Sequence, residues 1–174
     1  MRLPFVALLL SASVAACAPV VQGGPPMTLP PGVMETARVN VIYMSSDWLR
    51  SEDDFSDTFT EEVREELSQC AWGTYPLDAR IHVEELERAG RLDMILHNEG
   101  RHSLSAVVEF TDPARENAIV GRYPISVSVE VGGRMTSLLS DRQMIVSEAF
   151  GRAICDAAFG RNPRRPGPHN ATAG

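Results

Sequence analysis

The pattern of apolar residues predicts an α+β domain, a mainly antiparallel sheet with two helices packed on one face, in the order β-α-β-β-β-α. Three observations predict it. Phe55, Phe59, Val63 and Leu67 recur every four residues, which is one face of a helix. Met144, Ser147, Gly151, Ile154 and Ala158 form a second helical line, with Cys155 beside it. Around and between them lie short β-branched runs in which apolar and polar residues alternate, the mark of half-buried strands. Helices set apart from such strands pack on one face of an antiparallel sheet.

Each element has its own signal. Arg38 to Met44 is β-branched and partly alternating, a first strand. The polar stretch Ser45 to Arg50 follows as a loop. The first helix is predicted over 52–72, with Ser51 and Asp54 as an N-terminal cap and Gly73 as its stop. After a turn at Pro76, Ile81 and Val83 alternate with His82 and Glu84, so Ala79 to Glu87 reads as a strand. Glu84 to Arg88 is equally compatible with a helix. Residues 89–101 are ambiguous, because alternating Leu92, Met94 and Leu96 are bracketed by Gly90 and Gly100. Leu104 to Thr111 and Ala118 to Val131 form a hairpin around Asp112-Pro113, with Pro124 marking a bulge or an edge. Ser137 to Phe159 is the second helix, stopped by Gly160 and Pro163. With this strand count the first, second and fourth strands run the same way. Both helices then run back, parallel to each other. An extra strand at 92–96 would reverse the second helix.

The flanks are of a different character. Residues 17–36 are rich in Pro and Gly, a tether. At about 3.1 Å per residue such a segment could hold the domain, residues 37–160, up to about 50 Å from its attachment point. Residues 161–174 mix Pro, Arg, Asn and Ala without periodicity and are expected to be disordered. Arg161, Arg164 and Arg165 are read there as solvated, and Asn170-Ala171-Thr172 as a chance sequon.

The first residues carry the firmest functional signal. Arg2 precedes the apolar run Pro4 to Leu10, and small residues lead to Val14-Ala15-Ala16-Cys17. This is the layout of a secretory signal peptide, residues 1–16, and the run is too short and too interrupted to span a bilayer. The cysteine at its end resembles the lipobox of bacterial lipoproteins. That resemblance implies cleavage before Cys17, a diacylglyceryl group on its thiol and acylation (palmitate or similar) of the new amino terminus. Two or more chains anchor stably, at about 0.8 kcal/mol per buried CH2. Ala18, rather than aspartate, follows the cysteine. By the resemblance this favours the outer membrane, inner leaflet, facing the periplasm.

Composition excludes several classes. The chain of 174 residues contains no lysine. P-loop, Schiff-base and Ser-Lys chemistry are therefore excluded. A net charge of −7 argues against nucleic-acid binding. Cys70 and Cys155 remain after Cys17. In an oxidising compartment they are expected to pair, and parallel helices place both near one level. No CxxC or HExxH spacing suggests metal, and no G-x-S-x-G elbow is present. His82, His97, His102 and His169 follow no ligand spacing, and no cofactor is expected. The acids Glu52, Asp53, Asp54, Asp57, Glu61, Glu62, Glu65 and Glu66 read as helix-start and solvated-face residues. Their alternatives are a docking face for a basic partner or weak calcium binding. Trp48 and Leu49, in the loop before the first helix, are candidate partner-binding residues with folding back onto the core as the alternative. Trp72 reads as a packing residue.

Over residues 37–160 the layout also resembles small envelope lipoproteins of the transport-auxiliary and assembly-factor kind. The resemblance implies a non-enzymatic role with a protein partner in the envelope, alongside the membrane that holds the anchor. Two other readings stay open: a carrier with an apolar, lipid-holding cavity, and a periplasmic hydrolase with an unrecognised site.

Overall fold

A computed structural model describes residues 20–21, 24–47, 55–87, 99–132 and 139–160. The elements are β1 (Val20–Val21), α1 (Val33–Thr36), β2 (Ala37–Ser46), α2 (Phe55–Ser68), β3 (Tyr75–Glu87), β4 (Glu99–Asp112), β5 (Ala118–Gly132) and α3 (Leu139–Ile154). The last turn, Cys155–Phe159, widens into a π turn. The fold is α+β. One mixed sheet has the order β1-β5-β4-β3-β2, in which β2 and β3 are parallel and the other neighbours antiparallel. So β2, β3 and β5 share one direction, and α2 and α3 return against it on one face.

Alternation decides which side chains meet the helices. Leu77, Ala79, Ile81 and Val83 of β3, Leu104, Ala106, Val108 and Phe110 of β4, and Tyr123, Ile125 and Val127 of β5 are all buried. Their neighbours point to the open face, because successive strand residues alternate. From above, Phe55, Phe59, Val63 and Leu67 of α2 and Val146, Phe150, Ala153 and Ile154 of α3 close the core. Ring contacts link the layers: Phe59 meets Phe150 at 5.5 Å between centroids, and Phe110 meets Phe159 at 5.5 Å.

The two helices contact each other in ascending order, which is the sign of parallel packing. Phe59 lies against Phe150, Val63 and Glu66 against Gly151, and Cys70 against Cys155. A Cβ on Gly151 would sit 2.7 Å from the Glu66 Cβ, so only glycine permits this approach. Cys70 and Cys155 form a disulfide with Cα atoms 5.7 Å apart.

Boundaries shift in several places. The first helix spans 55–68 instead of 52–72; residues 51–54 of its expected cap lie outside the described residues. The second strand begins at Tyr75, four residues early, because parallel pairing with Ala37 carries it through Pro76. The ambiguous segment resolves only in part: β4 begins at Glu99, and 88–98 lies outside the described residues. Pro124 is exposed beside the two-residue β1, an edge position, while the irregularity in pairing falls at Phe110–Thr111. At the hairpin, Asp112 accepts a bond from the Ala114 amide at 3.0 Å, and Glu116 and Asn117 take positive φ to reverse the chain. On α3, Met144 lies off the buried face, and Val146, Phe150 and Ala153 take its place. Residues 24–36, assigned by composition to the tether, lie on the domain: Met27 is buried, and Leu29 and Met34 pack against the core. Residues 1–19 and 161–174, including the signal peptide, Cys17 and the tail, lie outside the described residues.

The disulfide closes a long loop, since its cysteines are 85 positions apart. Cross-links of this kind contribute about 2–5 kcal/mol. Cys70→Ala with Cys155→Ala should lose a free energy in that range in urea unfolding. An unchanged midpoint would show that the helices hold their register without the bond.

Candidate functional site: a tryptophan-walled groove

The end of α2 is built to present Trp72. The chain leaves the helix through Cys70 and Ala71, whose amides both bond to the Leu67 carbonyl, and Cys70 is tied to α3. Trp72 then bridges to Arg38 in antiparallel fashion, and the Gly73 amide donates to the Ala37 carbonyl at 3.0 Å. A Cβ on Gly73 would overlap the Thr36 backbone, so a glycine is required where the two segments cross. Trp72 is thus fixed on both sides, yet it is 64% exposed. The expectation that it is a packing residue is corrected: its backbone bridges to Arg38 at the edge of β2 and most of the residue is left in the open.

Beside it lies a groove of about 250 Å3, floored by Val39, Ile42, Leu67 and Ala71 and bordered by Arg38, Arg64 and Ser68. Arg64 pairs with Glu61 at 2.8 Å, and both side chains are well exposed. An exposed pair is worth about 0–1 kcal/mol, so Arg64 can turn to another anion at little cost. Arg38 and Arg64 thus place two guanidiniums beside the indole on a chain of net charge −7. An exposed tryptophan with arginines is the composition of binding hot spots.

The acidic residues of α2 divide. Asp57, Glu61 and Glu65 are exposed, as a solvated face requires. Glu66 departs from the solvated reading. It is 4% exposed and lies between the helices, where Arg152 donates to it at 3.1 Å and also to Glu148 at 3.3 Å. Helix α2 touches both the sheet and α3, so its buried arc is wider than the four-residue stripe. Burial raises the Glu62 carboxyl above the ordinary glutamate range, and Glu148, Glu65, Glu61 and Glu66 add to the rise. Asp156 is likewise pushed up by burial.

On the open face of the sheet, Ser45, Arg80, His82, Glu84, Val107, Glu109 and Arg122 surround a depression of about 320 Å3. Ser45 Oγ lies 3.1 Å from His82 Nδ1, and Asp47 lies 3.9 Å from His82 Nε2. The residue types match a hydrolytic triad, but the construction does not. The carboxylate is beyond hydrogen-bond distance and 92% exposed, so it does not orient the imidazole. His82 is half-exposed, as its place on the polar side implies, and His102 is buried on the inner face. Trp48, Leu49, His97 and His169 lie outside the described residues. Among the described residues no group of three His, Cys, Asp or Glu side chains is arranged to hold a metal ion, and no helix is long and apolar enough to cross a membrane.

No protein-family model and no curated protein matches the chain. Six solved chains resemble it structurally. Among them are the PelC dodecamer of Paraburkholderia phytofirmans (14% identity, 85% of this chain and 98% of that one, TM-score 0.43) and a candidate lipoprotein of Caulobacter crescentus (18%, 66% and 84%, TM-score 0.42). A minor lipoprotein of Acinetobacter baumannii is similar to the same degree (11%, 74% and 95%, TM-score 0.43). Likeness at this level assigns neither family nor function.

The Glu62 shift has a pH consequence. Its raised pKa favours the protonated form in the folded state, so its contribution is full in acid and is lost as pH rises through the raised value. Glu62→Gln should unfold at a higher midpoint than wild type at pH 7, with the difference shrinking as the pH falls into the ordinary glutamate range. Thermal melts across that range measure it, and parallel curves for the two proteins would refute it.

Proposed function

We propose that this chain is a lipid-anchored envelope lipoprotein without catalytic activity that docks a protein partner through the Trp72 groove. The pattern ending in Val14-Ala15-Ala16-Cys17 supports export, cleavage and acylation of Cys17. Ala18 after the cysteine supports the outer membrane, with the domain facing the periplasm. The observation that carries partner docking is Trp72 itself: a large exposed aromatic on a backbone tied to β2, beside an apolar floor and two arginines.

The chemistry of the groove selects an acidic partner segment. Arg38 and Arg64 supply charge-assisted donors, and β2 is the last strand of the sheet, so an extended segment can lie along its edge. The alternatives have weaker support. A lipid carrier needs an apolar cavity between helices and sheet, where Phe59 meets Phe150 and Phe110 meets Phe159 in ring contact. A hydrolase at Ser45 and His82 lacks an orienting carboxylate.

Two experiments test the reading. Cys17→Ser should release the protein from the membrane fraction and remove the mass of the acyl chains. Retention at the membrane with unchanged mass would end the anchoring claim. A photoreactive residue at Ser68 should crosslink one envelope protein in native membranes. Arg38→Glu with Arg64→Glu should reduce that product at least tenfold, whereas Arg80→Glu with Arg122→Glu on the open face should leave it intact. Equal loss in both double variants would remove the groove from the interaction.

A further inference from the structure

The path of the N-terminal segment determines how an anchored domain would sit. Val20 and Val21 pair with Ser126 and Ile125, so the chain joins the outer edge of β5 at once. It then runs along that edge: Met27 is buried and the Thr28 amide donates to the Val120 carbonyl at 2.7 Å. Thr28 Oγ1 donates to the same carbonyl at 3.2 Å, and Arg115 donates to the Thr28 carbonyl. The long reach expected from composition is therefore not available. Cys17 lies three positions before Val20, a step that can span at most about 11 Å.

Direction follows from the register. The pairing is antiparallel, so at Val20 the direction back towards the amino terminus points along β5 from Ser126 towards Val129. Val129 pairs with His102, near the start of β4 and the end of β3. The groove lies at the opposite end, where Arg38 pairs with Pro76, and on the opposite edge strand. The separation is about eleven residues along the strands, or about 35 Å, and four strand spacings across, or about 19 Å.

Charge agrees with this placement. Pro124, Ser126 and Ser128 alternate along the flank of β5 and are uncharged, with Pro124 and Ser128 exposed. The exposed carboxylates of α2 (Asp57, Glu61 and Glu65) belong to the helix that packs over β2, across the sheet from this flank. An anionic bilayer surface repels acidic groups within a Debye length of about 8–10 Å. The neutral flank can approach headgroups without that penalty, and the acidic helix stays outside its range.

We propose that the Pro124–Val129 flank of the sheet is a membrane-contact surface. The acylated Cys17 holds it against phospholipid headgroups, and the Trp72 groove faces away from the bilayer into the aqueous compartment. This rests on the anchoring of Cys17 proposed above, and adds to it a defined side of the domain and a short standoff.

The test uses acylated mature protein in vesicles of phosphatidylethanolamine and phosphatidylglycerol, with a fraction of Ni2+-chelating lipid. Nitroxide labels are placed at Ser128→Cys and, in a second sample, Ser68→Cys. Relaxation enhancement by the headgroup nickel should be at least threefold greater at position 128 than at 68. Inserting twelve Gly/Ser residues between Ala18 and Pro19 should bring the two values together. Co-flotation with vesicles reads the anchor separately. Co-flotation with equal enhancement, before any insertion, overturns the membrane-contact surface alone. Failure to co-float overturns the anchor and the surface with it.

Discussion

The parallel contact between α2 and α3 is the constraint on which the rest of the molecule depends. Two helices that return against β2, β3 and β5 on one face of the sheet must lie side by side, and their backbones approach closely only because position 151 has no side chain. Phe59 and Phe150 fill the seam on the sheet side. Glu66 and Arg152 close it on the other side, a buried carboxylate compensated by a guanidinium that remains partly wet. Such a pair adds little net stability, but leaving Glu66 alone would be costly, so it acts to hold the register of the helices. The Cys70–Cys155 bond closes the far end.

That closure also shapes the surface. Because Cys70 is tied to α3, the chain leaves α2 in one direction only and meets the start of β2 within three residues. The bridge of Trp72 to Arg38 and the amide bond from Gly73 follow from this short exit. The backbone that carries the tryptophan is thereby already ordered before any partner arrives. The groove is thus a by-product of how the helix pair is locked, and its arginines stand out against an acidic chain.

The two ends and edges of the sheet differ in kind. The β5 edge is lined by the chain that arrives from Cys17, and its flank is small and neutral. The β2 edge is bordered by the groove. The open face between them carries Arg80, Glu84, Glu109 and Arg122, with Arg122 3.5 Å from Glu109, alternating signs that suit water. A domain with one neutral edge and one basic, aromatic edge is suited to standing between two surfaces of different chemistry.

Local periodicity alone determined the class of the fold, the existence of each long element and the shared direction of the first, second and fourth strands. It did so because α2, β3, β4 and β5 each bury one continuous face, and a stripe such as Phe55 to Leu67 or Ile81-Val83 is visible without knowing what it packs against. The cysteine pair was legible for the same reason, since parallel helices bring their ends to one level. What local pattern could not supply was contact between residues far apart in the chain. Glu66 is buried because α3 widens the hidden arc of α2 from 86 positions away. Trp72 is exposed at a point where its backbone bridges to Arg38, 34 positions earlier in the chain. The proline-rich segment looks free in composition, and only the β5 edge holds it down. Periodicity reports the face a segment must hide, whereas the partner that hides it, and the residues left outside, are decided when the elements meet.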